Sequence, residues 1–421
     1  MSKLLKSWVT SANSADSNFP LNNLPYGVFS VDGEDAMCGV AIGDMILNVT
    51  SAEEAGVLNA SDMPVFDVPY WNDFMDLGRD AWGNFRDALT AALAGGSDQQ
   101  AALEPHLVAQ GDVTMHMPFA VSEYTDFYAG RQHAENMGAI LRGSPELPAN
   151  WLHIPIGYNG RASTVVVSGT DIHRPMGQTK APDADMPSFG PSKRLDIELE
   201  MGAIVGTGST MGQPITVDQA DEMIFGYVLL NDWSARDIQG WEYMPLGPFQ
   251  GKAFGTSISP WIVTSAALEA FRTATPARDK ELLPYLAETK DGLYDITLEV
   301  TMRPEGTATA STVTRTNYSR MYYSAAQQLC HHAVSGCEMS PGDLLGSGTI
   351  SGPTKAEYGS LMELSWAGRE PFTLETGETR TFIEDGDTLT LKGHAQGDGF
   401  KIGFGDCQGK ILPAVGYPFS A

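Results

Sequence analysis

The sequence predicts a mainly β protein (α+β, with helices as minor elements), divided into a smaller N-terminal and a larger C-terminal part. Three observations support that expectation. Glycine and proline, 45 and 25 in number, are spread along all 421 residues, and such punctuation suits short strands joined by turns better than long helices. Apolar segments of strand length, alternating or continuous, recur along the chain. The length itself fits two or three domains at roughly 100 to 200 residues each and leaves ample chain for a core.

The first element is expected over residues 26–49, where the text alternates and turns fall at Asp32-Gly33 and Gly43-Asp44, as in small barrels. A helix follows, because Phe74, Leu77, Trp82, Phe85, Leu89 and Leu93 recur at helical steps and Gly95-Gly96 can stop it. Gly78 and Gly83 inside it lower its propensity. Residues 94–118 become small and polar, then extended at Val113-Thr-Met-His-Met117, which places a domain boundary at 118. Beyond it, strands are expected at 165–167, 195–201, 225–230, 293–302 and 312–318. A helix over 323–335 is capped by Gly336, and strands return at 343–350, 361–366, 388–391 and 401–404. No internal repeat of fixed period is visible.

Composition excludes several function classes. Asp and Glu number 52 against 26 Lys and Arg, a formal charge of −26, which repels phosphate backbones and anionic membranes. No apolar run approaches the roughly 20 residues that a membrane helix needs. Cys38, Cys330, Cys337 and Cys407 are too few and scattered for a disulfide framework, so reduced thiols are expected. Residues 1–20 lack the apolar core of a secretory signal, so the expected home is cytoplasmic, and the glycosylation patterns at Asn48, Asn59 and Asn317 carry no weight.

Chemistry concentrates in three segments. In Leu195-Asp-Ile-Glu-Leu-Glu-Met201, strand periodicity puts Asp196, Glu198 and Glu200 on one face and the apolar residues on the other. Like charges so placed are either solvated on an exposed face or gathered around a hard divalent cation such as Ca²⁺ or Mg²⁺. The apolar run 225–230 ends in Asn231-Asp232, and the Arg-, Gln-, Tyr- and Trp-rich stretch after Asp232, up to Lys252, reads as a long loop that shapes a site. The third segment, Tyr124-Thr-Asp-Phe-Tyr-Ala-Gly-Arg-Gln-His133, adds Asp126, two phenols and a histidine that opens a short helix. His133-Ala-Glu135 matches the H-x-E of zinc deaminases, but the P-C-x-x-C partner is missing. Cys330, His331, His332 and Cys337 do not converge at helical spacing and are read as core and surface positions.

With these residues in view, the stretch Asp16-Ser-Asn-Phe-Pro-Leu-Asn-Asn-Leu-Pro-Tyr-Gly-Val-Phe-Ser30 resembles the start of the fumarylacetoacetase family. The likeness continues nearly end to end, through 124–133, Arg194-Leu-Asp-Ile-Glu-Leu-Glu-Met201, Asn231-Asp-Trp-Ser-Ala-Arg-Asp-Ile-Gln239 and Gly346-Ser-Gly-Thr-Ile-Ser-Gly352. It implies a small SH3-like N-terminal barrel, placed here at 1–118, and a larger C-terminal mixed β-sandwich roll at 119–421. It also implies a homodimer and hydrolysis of the carbon–carbon bond of 4-fumarylacetoacetate to fumarate and acetoacetate, the last step of tyrosine and phenylalanine breakdown. Calcium ligands are implied at Asp126, Glu198, Glu200 and Asp232, with Asp196 as a supporting charge. A magnesium site would involve Asp232, Lys252 and Thr256, Lys252 only through its carbonyl because an ammonium cannot ligate a cation. Substrate contacts are implied at Tyr128, Arg142, Tyr158, Gln239, Tyr243 and Thr349.

The expected chemistry follows from the side chains. The resemblance pairs His133, a group that titrates near neutrality and suits a general base, with Glu363. Arg236, Gln239 and Lys252 are the expected oxyanion donors, and Arg142 with Tyr128 is expected to grip the carboxylate of the acetoacetate half. The rival within the superfamily is an acylpyruvate hydrolase or decarboxylase. From other classes, a noncatalytic calcium-binding protein leaves His133, Arg236, Gln239 and Lys252 without a task, and so does a two-metal phosphodiesterase, whose polyanionic substrate the net charge disfavours.

Overall fold

The N-terminal strands form an antiparallel five-stranded sheet in the order Leu107–Ala109, Met45–Asn48, Met37–Ile42, Tyr26–Val31 and Val113–His116. This curved half-barrel, like the rest of the molecule, is taken from a computed structural model, in which residues 3–416 are described. Its core is aromatic: the Tyr26 ring stacks on Trp71 at 4.3 Å, with Phe66, Phe74 and Phe85 around them. The single helix expected over 74–93 is two helices, Asn72–Asp76 and Arg79–Leu93. Gly78 separates them at φ +87°, a left-handed conformation that breaks the helical register, so Leu77 points to solvent rather than joining Phe85, Leu89 and Leu93 inside.

The C-terminal part is built on a mixed eight-stranded sheet. Its main path runs Gly157–Asn159, Tyr124–Phe127, Leu344–Gly346, Leu199–Val205, Ile224–Asp232, Thr256–Ile258, Val165–Val167, with Val263–Thr264 also paired to Ile224–Asp232. Pairing is parallel between Leu344–Gly346 and Tyr124–Phe127 and between Thr256–Ile258 and Val165–Val167. A six-stranded sheet, centred on Thr297–Arg303 and Thr388–Gln396, packs against one face.

Alternation along the central strands divides the packing cleanly. Leu199, Met201, Ala203, Tyr227 and Leu229 join the core shared with the six-stranded sheet, whereas Ile204, Val228 and Leu230 join the core of the N-terminal part. Both faces of the large sheet are therefore covered, and the side chains read as continuous apolar runs.

Several expectations are corrected. The strand expected over 195–201 is interrupted: Leu195–Asp196 pairs with Ser234–Ala235, while Leu199–Val205 belongs to the large sheet. Its acidic residues are buried, so the exposed-face alternative is excluded. The stretch after Asp232 is not a loop but contains helices Arg236–Glu242 and Gln250–Ala253. Residues 361–366 form the helical turn Leu361–Leu364, because Ser360 caps it through Glu363 N. Within 343–350 only Leu344–Gly346 is strand. The helix expected at 323–335 is Ala325–Ala333, started by a capping box of Ser324 and Gln327. Among the described residues no helix is long and apolar enough to cross a membrane.

Candidate active site

Four carboxylates converge at one end of the large sheet. Asp126 comes from Tyr124–Phe127, Glu200 from Leu199–Val205, Asp232 closes Ile224–Asp232, and Glu198 sits where the acidic strand is broken. One oxygen from each lies within 4.8 Å of the others, and all four residues are buried. Gly346, paired with both Asp126 and Gly202, allows this approach: a Cβ there would lie 3.0 Å from Glu200 Oε2 and 3.1 Å from Asp126 Oδ1.

The cluster is electrostatically strained. Burial and then the charge of Asp232 push the Asp126 carboxyl well above its usual range; burial, then Asp126, does the same to Glu200. Asp232 is also raised, by burial, although Lys252 opposes the shift. Glu198 differs because burial is outweighed by Lys252, Arg236 and His133, which hold it low. Four carboxylates face two fixed cations, Lys252 and Arg236, so negative charge is in excess.

Arg236, at the start of its helix, is engaged through all three of its nitrogens. It donates from Nε to Asp196 Oδ2 at 2.8 Å, from Nη2 to Glu198 Oε1 at 2.8 Å and from Nη1 to Gln239 Oε1 at 3.2 Å. The Lys252 ammonium enters the cluster, donating to Glu198 and Asp232. Asp196 also accepts from the backbone N–H groups of Leu361 at 2.7 Å and Met362 at 3.0 Å, which ties the helical turn carrying Glu363 to the acidic segment.

His133 lies in the first turn of the helix Arg131–Arg142. Its Nδ1 is 2.7 Å from Glu363 Oε2, and its Nε2 is 3.6 Å from Glu198 Oε1, too long for a hydrogen bond. Glu363 is fully buried and accepts further bonds from Asn136 Nδ2 at 2.8 Å, Ser360 Oγ at 2.8 Å and Ser351 Oγ at 3.0 Å. Burial opposes its charge, yet His133, Asn136 and Ser360 hold it below the usual carboxylate range. An ionised carboxylate only accepts, so Nδ1 carries the hydrogen in the neutral ring and the Nε2 lone pair is left facing the site.

A cavity of about 620 Å³ joins these groups. Its wall includes Asp126, Glu198, Glu200, His133, Arg236 and Lys252 together with Tyr128, Arg142, Tyr158, Gln239, Tyr243 and Thr349. Asp232 and Thr256 are paired strand neighbours behind Lys252 and are not on that wall. Sequence reasoning missed Asn136, Ser351 and Ser360. Two of them had a local signal: Asn136 is one helical turn after His133, and Ser360-x-x-Glu363 is a helix-start pattern. Cys330 is buried, Cys337 is exposed, and His331 and His332 bond to Tyr285 and Thr125, so these four do not gather.

Residues 22–118 match the family model described as Fumarylacetoacetase N-terminal, and residues 123–411 match Fumarylacetoacetate (FAA) hydrolase C-terminal. The chain is 48% identical to the fumarylacetoacetase of Homo sapiens over 408 residues, 95% of this chain and 97% of that protein. It is 47% identical to the fumarylacetoacetase of Arabidopsis thaliana, covering 98% of this chain and 99% of that one. A solved fumarylacetoacetate hydrolase from Exiguobacterium antarcticum shares the fold, with a TM-score of 0.53 at 17% identity over 93% of this chain and 99% of that one.

Proposed function

We infer that this chain, which belongs to the fumarylacetoacetase family, hydrolyses the carbon–carbon bond of 4-fumarylacetoacetate to fumarate and acetoacetate. The observation that carries the reading at the level of chemistry is the His133–Glu363 pair opening onto the same cavity as the carboxylate cluster. His133 Nε2 takes a proton from water, and the oxygen adds to the carbonyl on the fumaroyl side. Glu363 holds the imidazole in the right tautomer and stabilises the imidazolium, a base typically worth about a hundred- to ten-thousand-fold in rate.

The carboxylate cluster fits a divalent cation. Asp126 Oδ1, Glu200 Oε1 and Asp232 Oδ1 are buried without a hydrogen-bond partner, and an all-oxygen donor set with excess negative charge suits a hard ion such as Ca²⁺ or Mg²⁺. Asp126, Glu198, Glu200 and Asp232 would hold it. When bound, such an ion supplies Lewis acidity and a template for the two diketone oxygens.

Around the reacting carbonyl, Lys252 spends two ammonium hydrogens on Glu198 and Asp232 and retains a third. Gln239 accepts from Arg236 through Oε1, so its amide N–H groups are the free donors. Arg236 uses three of its five N–H groups on Asp196, Glu198 and Gln239 and keeps one on each Nη; it lines the cavity, so it both positions Glu198 and Gln239 and stays, with Gln239 and Lys252, a proposed oxyanion donor. After addition, the carbon–carbon bond breaks, its electron pair leaves with the acetoacetate half as an enolate, and the His133 imidazolium returns the proton to carbon. Arg142 and Tyr128 on the cavity wall bind the terminal carboxylate of that half.

A second cation site, magnesium at Asp232, Thr256 and the Lys252 carbonyl, belongs to the same proposal; Asp232 and Thr256 are paired neighbours on adjacent strands. The division into domains at 1–118 and 119–421, a homodimer and a cytoplasmic home complete the proposal. Purified protein incubated with 4-fumarylacetoacetate is expected to consume the diketone, to stop with a chelator, and to lose activity in His133→Ala and Glu200→Gln. Intact diketone beside cleavage of an acylpyruvate would transfer the chain to the rival reaction. Full activity of His133→Ala would remove the base.

A further inference from the structure

A second cavity, of about 300 Å³, lies between the N-terminal part and the large sheet, at the small end of the roughly 300–1,000 Å³ range of ligand pockets. One face of the Arg79–Leu93 helix supplies Arg79, Trp82, Gly83 and Arg86; Phe225 and Glu222 face them from the other side. Trp82 and Phe225 meet edge to face, with ring centroids 5.0 Å apart, and give an aromatic wall.

Three features of this cleft have no other account. Tyr26 is among its lining residues, and the Tyr26 hydroxyl is fully buried and without a hydrogen-bond partner among the described residues, a costly state for a phenol. Gly83 sits within a fifteen-residue helix, which it weakens, yet a Cβ there would meet nothing within 4 Å, so close packing does not require it. It leaves space. Finally, the charges are unevenly committed. Arg86 donates to Asn22 O and Asn23 O, each at 2.7 Å, and Arg272 holds Glu269 at 2.7 Å and Asp221 at 2.9 Å. Arg79 and Glu222, both exposed, are left as one cation and one carboxylate without a partner among the described residues.

We propose that this cleft is a ligand site, separate from the catalytic cavity, for an aromatic α-amino acid. The ring lies against Trp82 and Phe225 in the space that Gly83 leaves. Arg79 takes the carboxylate and Glu222 takes the ammonium. A zwitterion suits the site because each free charge is answered once.

Calorimetric titration of the full-length protein with L-phenylalanine tests this. Binding is expected, and phenylacetate, 2-phenylethylamine and L-alanine, each lacking one recognised group, are expected to bind at least about tenfold more weakly. Gly83→Leu fills the space and is expected to abolish binding while diketone hydrolysis persists; Arg79→Ala and Glu222→Gln, both on the surface, are each expected to weaken it at least about tenfold. The proposal is overturned if L-phenylalanine gives no heat, if phenylacetate binds equally well, or if the Arg79 and Glu222 variants bind as wild type does. Unchanged binding in Gly83→Leu would place the amino acid elsewhere and overturn it too.

Discussion

Glu363 shows how much of this site rests on groups that never touch substrate. It accepts from His133, Asn136, Ser351 and Ser360, so both carboxylate oxygens are occupied by donors. Glu363→Gln would turn one of those oxygens into an NH₂ group facing a donor, misdirecting the imidazole. We expect kcat to fall by about 10²- to 10⁴-fold with KM changed only a few-fold, measured by steady-state loss of the diketone. An equal loss in KM would mean that Glu363 acts on binding instead. The carboxylates and His133 were legible because each stands in a short segment with its own periodicity or resemblance. For Asn136 only its place one turn after His133 was legible; its bond to Glu363 was not, because that partner is 227 positions away and a sequence displays only local spacing.

At the scale of elements, the site depends on interruptions. The break after Leu195–Asp196 frees Asp196 to bind the N–H groups of Leu361 and Met362 while Glu198 turns toward Lys252. Period-two reading extended the strand through this point because Leu195, Ile197, Leu199 and Met201 are all apolar, and all are buried in the same core. Likewise, apolar residues at 361–364 read as strand, and only the Ser360 cap reveals the helical turn. Local pattern thus predicts which residues go inside, whereas hydrogen bonds to distant carboxylates decide the backbone. The strand Leu344–Gly346 supplies a sharper test. A methyl at residue 346 would stand 3.0 Å from Glu200 Oε2, 3.1 Å from Asp126 Oδ1 and 3.1 Å from the Tyr124 hydroxyl. Gly346→Ala is therefore expected to weaken divalent-cation affinity by about tenfold or more, since ligand groups displaced by part of an ångström lose their shared geometry. Calorimetric titration with Ca²⁺ or Mg²⁺ reads this directly, and unchanged affinity would show that the carboxylates do not bind as one group.

For the molecule as a whole, the large sheet is held on both faces, with the N-terminal core against Ile204, Val228 and Leu230 and the six-stranded sheet against Leu199, Met201 and Leu229. That rigid support is what lets like charges be kept together at the sheet's end. Its cost depends on pH in a calculable direction. Asp126, Glu200 and Asp232 all have carboxyls raised above their ordinary values, with burial the largest cause in each. Between those ordinary values, near pH 4, and the raised ones, the folded chain retains protons that the unfolded chain releases, so stability falls as pH rises through that window. Glu198 and Glu363 are depressed instead; the stability they contribute is present above about pH 4.5 and lost only as pH falls through their lowered values. As pH rises from the ordinary carboxylate values, the raised groups, Asp196 among them through burial, therefore set the slope contributed by the site's carboxyls. A divalent cation replaces the protons of Asp126, Glu200 and Asp232 and removes the repulsion. The unfolding temperature with Ca²⁺ or Mg²⁺, minus that with chelator, is expected to widen from pH 5 to pH 8, and to shrink at every pH in Glu200→Gln. Taking the difference at each pH cancels the titration of the protein's remaining acidic and histidine side chains. A gap that stays constant with pH, or one that Glu200→Gln leaves intact, would separate cation binding from this cluster.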